Sequence, residues 1–295
     1  MNNKDFAVFI LTHGRANNVK TYHTLKKQNF TGKIYFLCDD EDKELNIYQD
    51  NFGIENVFIF NKKESLSFTD DAMNDFNLNA VVYARNYAFI LAKKLNLKTF
   101  LMLDDDYISF SFNFDKNGNY KPKKIKNLDK IFDIYIDYLL KANLDCVAFI
   151  QGGDLIGGKS NSFIRNHETK RKIMNAFFIN CEKPFKFYGR INEDTTCYVL
   201  EGNIGKKFLT LPEIRLDQTT TQKNKGGLTD IYLDMGTYVK SFYTVLYCPS
   251  AVKVAMLNTS NKRLHHKIDW NKCCPMILNE INKKHEKKSI TKSIS

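Results

Sequence analysis

The sequence predicts an α/β fold: a mostly parallel central sheet with helices on both faces, in a single domain. Three observations predict it. Short apolar runs alternate with amphipathic stretches through the first half, as βαβ units require. Acidic or glycine-bearing turns end those runs. No internal repeat or low-complexity block interrupts the chain, whose 295 residues suffice for a large core.

Taken in order, Phe6 to Thr12 is the first strand, ended by His13-Gly14-Arg15, and Val19 to Gln28 has helical character. Ile34 to Cys38 is a second strand, ended by Asp39-Asp40-Glu41-Asp42, and Val57 to Phe60 a third. Residues 62–79 are polar with little periodicity, which predicts a surface loop or a broken helix. Ala80 to Leu95 places Val81, Ala84, Ala88, Leu91 and Leu95 at spacings of three and four, a helical stripe with Arg85 and Asn86 on its early turns. The strand Thr99 to Leu103 follows, and Asp104-Asp105-Asp106 stands at its C-terminal end.

Phe110 to Tyr120 carries a hairpin signal at Asp115-Lys116-Asn117-Gly118-Asn119, and Lys121 to Lys130 is basic. Leu128 to Leu140 reads as a helix and Cys146 to Ile150 as a strand. From there to about residue 257 strands and loops are expected rather than long helices. A domain over residues 1–282 with a basic tail over 283–295 accounts for the pattern.

Lys and Arg outnumber Asp and Glu by 44 to 33, a formal charge of +11. That excess favours a polyanionic partner, although a Lys- and Asn-rich composition also follows from an AT-rich genome. Seven cysteines without a CxxC pair, several inside apolar runs, fit buried thiols in a reducing compartment. The opening MNNKDFAVFIL has no basic stretch before a long apolar one, and no run of about 18 apolar residues occurs. A soluble cytoplasmic protein without a membrane partner is expected.

Four groups of residues invite chemistry. In open α/β sheets ligands bind beyond the carboxyl ends of the strands, where Thr12-His13-Gly14-Arg15, Asp39-Asp40 and Asp104 to Asp106 all fall. An Asp-x-Asp run supplies oxygen ligands to a hard cation such as Mg²⁺ or Mn²⁺, and in an extended chain Asp104 and Asp106 face alike with Asp105 between them. An acidic turn explains the run equally. Glu193-Asp194 suits either a helix start or a general base whose proton affinity is raised by apolar surroundings. His265-His266 reads as an exposed basic stretch or as a metal ligand. The paired glycines in Gln151-Gly152-Gly153-Asp154 and Lys225-Gly226-Gly227 match no Walker or dinucleotide spacing; they permit close backbone approach to an acceptor, or form turns.

The order of these features resembles a GT-A nucleotide-sugar glycosyltransferase. The stretches FLMLDDDY, IQGGDLIGG, GRINEDTTCYV and LPEIRLDQTTTQKNKGGLTDIY look more closely like the TET-associated glycosyltransferase family, found largely in bacteriophages and similar to base J glucosyltransferase. The resemblance implies a nucleotide-sugar half over about 1–108 and an acceptor half over about 109–282. It implies donor contacts from Thr12, Gly14, Arg15, Asp39 or Asp40, Arg85 and Asp105, with a UDP-linked sugar as donor. It implies Mn²⁺ or Mg²⁺ on Asp104, Asp106 and His266, or His265 in place of His266, and a catalytic base at Asp194 or Glu193. The implied acceptor is the hydroxyl of a hydroxymethylated pyrimidine in DNA, a modification that protects against restriction. Gly152, Gly153, Asp154, Tyr188, Lys170, Arg171, Lys172 and Lys225 are then acceptor candidates. Lys121, Lys123, Lys124, Lys126 and Arg165 join them as phosphate contacts, and Phe187 or Tyr188 as a platform for a flipped base. A carbohydrate acceptor, or a nucleic-acid-binding module with a decayed transferase site, are the alternatives.

Overall fold

In a computed structural model, which describes residues 4–72, 78–155, 157–167, 170–219, 237–257 and 262–273, one nine-stranded sheet organises the chain. Lys225 and the tail from Lys283 lie outside the described residues. The strands are β1 (Phe6–Leu11), β2 (Ile34–Asp39), β3 (Val57–Phe60), β4 (Thr99–Asp104), β5 (Tyr107–Phe114), β6 (Tyr120–Lys124), β7 (Cys146–Gln151), β8 (Phe177–Asn180) and β9 (Phe208–Gln218). Their order is β3-β2-β1-β4-β8-β7-β9-β5-β6. The first four strands in that order are parallel to one another, as is β7 to β9; β8 runs antiparallel between β4 and β7, and the β5–β6 hairpin closes one edge. A separate antiparallel pair, β10 (Val252–Leu257) and β11 (Arg263–Ile268), stands beside it.

Described helices are α1 (Lys20–Lys27), α2 (Leu45–Phe52), α3 (Lys62–Ser65), α4 (Val82–Lys94), α5 (Leu128–Lys141), α6 (Ser162–Asn166), α7 (Glu193–Asn203), α8 (Lys240–Tyr247) and α9 (Trp270–Cys273). They cover both faces of the sheet, which is why β1 is buried at all six positions. Alternation along β1 sorts its side chains: Ala7, Phe9 and Leu11 join a core with α4 and α7, while Phe6, Val8 and Ile10 join a second core with α1 and α5. The abundant phenylalanines fill both cores. Phe132 on α5 meets the rings of Phe6, Phe30, Phe110, Phe149 and Phe178 at centroid distances of 5.1–6.4 Å. Emptying such a position costs about 3–5 kcal/mol.

The expected architecture is present, with one difference in its elements. Glu193–Asn203 is a helix of 11 residues where strands and loops were expected. Its threonines, Val199 and Gly202 are poor helix formers and it is buried on most sides, so no amphipathic stripe marks it. The polar stretch after Asn61 begins with the short α3, capped by the Asn61 side chain, which accepts from Glu64 N at 2.8 Å.

Among the described residues no helix is long and apolar enough to cross a membrane. Cys38, Cys146, Cys181, Cys197 and Cys248 are free thiols, and all but Cys181 are buried.

Candidate active site

Sheet register builds the site. Leu11 pairs with Asp104 across β1 and β4, so the residues that follow, Thr12 and Asp105, abut beyond the strand ends. Thr12 Oγ1 donates to Asp105 at 2.8 Å, and Arg15 Nη1 to its other oxygen at 2.5 Å. The spacer aspartate therefore turns back into the fold, 4% exposed, and both its oxygens hold the first loop.

The chain does not stay extended through the acidic run: β4 ends at Asp104, and Asp105-Asp106 form a turn. Thr21 of α1 staples that turn, donating from Oγ1 to Asp104 O at 2.6 Å and accepting from Tyr107 N at 2.9 Å. Asp104 stays 29% exposed at its side chain and accepts from the Tyr107 hydroxyl at 3.2 Å. Asp106 accepts from Thr219 Oγ1 at 3.1 Å. Burial, and then the neighbouring Asp104 and Asp105, push the Asp106 carboxyl up to about 6. A carboxylate whose charge is disfavoured by burial and by two neighbouring aspartates suits a cation.

Arg85, on the second turn of α4, is 3% exposed and connects the two acidic groups. Its Nη2 donates to Asp104 at 3.2 Å and its Nε to Glu193 at 3.0 Å, while Phe177 and Phe187 pack over the guanidinium at 5.0 and 5.5 Å. Glu193 and Asp194 open α7 behind Asn192, which adopts φ +61°. Burial raises Glu193 to about 7 against the pull of Arg85, and burial also raises Asp194. Asp194 is partly exposed; one of its oxygens is held by Thr195 N at 2.6 Å.

His266, on β11, lies beside this helix start, with Nδ1 3.4 Å from Asn192 Nδ2. Burial, and then His265, Lys240 and Lys172, press its pKa down to about 3. Among the described residues no three His, Cys, Asp or Glu side chains converge as metal ligands would. Asp104, Asp106 and His266 do not form one such group, and His266 lies beside Asn192.

The first loop is held from the β2 side. Gly14, at φ +62°, donates its N–H to Asp42 at 2.8 Å, and Arg15 N donates to the Tyr48 hydroxyl at 2.9 Å. Asp39 is 6% exposed and engaged by His13 Nδ1 at 2.7 Å and Lys62 Nζ at 2.9 Å. Burial opposes its charge, yet those two partners overcome it and hold the carboxyl below its usual range. His13, half exposed, is raised by the same bond. Asp40 is exposed and accepts from Lys62 N at 3.0 Å. Nothing local in the sequence marks Lys62, Tyr48 or Tyr107, whereas His13 falls within the strand-end group Thr12-His13-Gly14-Arg15.

The acceptor candidates divide. Gly152, Gly153 and Asp154 form a single 3₁₀ turn after β7. Lys172 is 9% exposed and bound to Asp154 at 2.5 Å, so it is a buried ion pair rather than a surface phosphate contact. Lys170 Nζ lies over the Phe163 ring at 3.8 Å, and Arg171 is exposed. Phe187 is fully buried between Arg85 and Phe177, which excludes it as a platform for a flipped base. Tyr188 donates to Glu201 at 2.9 Å and its ring lies 6.0 Å from that of Tyr247.

The chain is a glycosyltransferase by family. The model of the TET-Associated Glycosyltransferase family matches residues 6–227, and the chain belongs to that family. Glucosyl-3-phosphoglycerate synthase from Mycobacterium tuberculosis, in complex with Mn²⁺ and UDP-glucose, is similar at 9% identity and a TM-score of 0.47, over 89% of this chain and 86% of that one. S. aureus TarS 1-349 is similar at 14% identity and a TM-score of 0.42, over 81% and 65%. The mannosyltransferase PcManGT from Pyrobaculum calidifontis, with GDP-Man and Mn²⁺, is similar at 8% identity and 0.44, over 75% and 58%. No curated protein sequence matches the chain.

Proposed function

We propose that the chain moves a sugar from a nucleotide-sugar donor, UDP-linked by resemblance, to the hydroxyl of a hydroxymethylated pyrimidine in DNA. The observation that carries this reading is the Arg85 bridge, which sets Asp104 of the acidic turn and Glu193 of the Glu-Asp pair on one guanidinium. A donor diphosphate lies against the turn and the Thr12–Arg15 loop, within about residues 1–108. The acceptor approaches from residues 109–282.

Asp104 and Asp106 are hard oxygen donors at a strand end and fit Mn²⁺ or Mg²⁺ that completes its shell with diphosphate oxygens. Such a cation, when bound, neutralises the leaving group. Asp194, partly exposed with one oxygen tied to Thr195, takes the proton from the acceptor hydroxyl. Glu193 is buried on Arg85 and positions that guanidinium. His266, kept neutral beside Asn192, lines the acceptor side.

The test is incubation with hydroxymethylated DNA, Mn²⁺ and a panel of sugar nucleotides, followed by mass spectrometry of the nucleosides. One hexose added per modified base is expected. Transfer to glycan acceptors alone would replace DNA as the acceptor, and absence of any Mn²⁺-dependent donor binding would end the enzyme reading.

A further inference from the structure

The edge of the sheet farthest from β3 carries a groove of about 680 Å³ between the β5–β6 hairpin and α5. Six lysines line it: Lys116, Lys121, Lys123, Lys124, Lys126 and Lys130. All six are exposed, and among the described residues none is held in an ion pair. The carboxylate of Asp115, also on the lining, is spent on its own turn, accepting from Asn117 N at 2.9 Å and Asn119 N at 3.0 Å. Phe112 and Ile131 give the groove an apolar floor.

Lysines and a proline on an edge strand also block strand addition, and Lys121, Pro122, Lys123 and Lys124 on β6 serve that purpose. Lys116 from the hairpin turn, Lys126 from the connection and Lys130 from α5 have no such need, yet they converge on the same groove from three other segments. Six uncompensated cations around one channel repel one another unless a linear polyanion lies along it.

We propose that this groove seats the phosphate backbone of duplex DNA. The inference rests on the DNA-acceptor reading above and adds where the duplex lies. Strand β5 joins the groove to the site: it begins at Tyr107, whose hydroxyl donates to Asp104, and reaches Phe112 on the groove wall five residues later, roughly 17 Å along an extended strand. Phosphates held there carry no sequence information; they orient the duplex while a nucleotide extruded from it enters the site.

The test compares the full chain with the triple variant Lys121→Ala/Lys123→Ala/Lys126→Ala and with the control Lys93→Ala/Lys94→Ala. Binding to an unmodified fluorescent duplex is titrated from 50 to 200 mM salt, alongside Mn²⁺-dependent UDP-glucose binding and thermal melting. The triple variant is expected to lower the slope of log K against log salt by about 2.7, at about 0.9 per lost phosphate contact. Donor binding and melting stay as in the unmodified chain, and so does the slope of the control. An unchanged slope in the triple variant, or an equal loss in the control, overturns the groove while leaving the DNA acceptor in place. Failure of the unmodified chain to bind duplex, while it binds anionic vesicles, overturns both.

Discussion

Arg85 and Glu193, 108 residues apart in the chain, meet through a 3.0 Å hydrogen bond inside the core, and the same guanidinium reaches Asp104. Removing it leaves buried Glu193 and partly exposed Asp104 without that cation. Arg85→Met is expected to cost about 3–5 kcal/mol, read by denaturant melts, because breaking a buried pair strands a charge. Arg85→Lys keeps the charge but loses the fork, so transfer should fall at least tenfold with a smaller loss of stability.

Glu193 gives the pH dependence. Its carboxyl is raised from 4.5 to about 7, so its contribution to stability is complete below about 4.5 and is lost as pH rises through about 7. Melting temperature should therefore decline between pH 5 and 8 by more in the native chain than in Glu193→Gln, whose amide does not titrate. Parallel declines would remove Glu193 as the source.

Asp106 and Asp194 should separate binding from chemistry. Asp106→Asn is expected to abolish Mn²⁺-dependent donor binding in calorimetry. Asp194→Asn should bind donor normally and lose about 10²–10⁴-fold in transfer.

His13 stands half exposed with Nδ1 committed to Asp39, and under the proposed function its Nε2 is offered to the donor. His13→Ala should raise the donor KM about tenfold with kcat little changed. An effect on kcat alone would place the residue nearer the reacting bond.

Phe187 lies in the core, and its substitution should report packing. Phe187→Ala is expected to lose about 3–5 kcal/mol of stability with an unchanged acceptor KM, provided that assays run well below its melting point.

Much of this was legible in the residues. The first four strands announce themselves because strands buried on both faces must be continuously apolar, as FAVFIL and TFLMLD are. The strand ends then locate the loops, since a parallel sheet gathers them on one side. What stayed hidden depends on pairing across distance: nothing local in YARNY shows that Arg85 joins Asp104 to Glu193. Helix α7 was hidden too, because a helix enclosed by other elements needs no polar face. Lys172 looked like its exposed neighbour Arg171, and only the fold supplies its partner Asp154.

The clasp between Asp105 and the pair Thr12 and Arg15 has a consequence for redesign. The loop after β1 and the turn after β4 are stitched together, so neither is an interchangeable module. Grafting a foreign loop at residues 12–15 to change donor preference would unpin the neighbouring aspartates as well. New donor chemistry has to be introduced through side chains the clasp leaves free, with Thr12, Arg15 and Asp105 retained as one inherited unit.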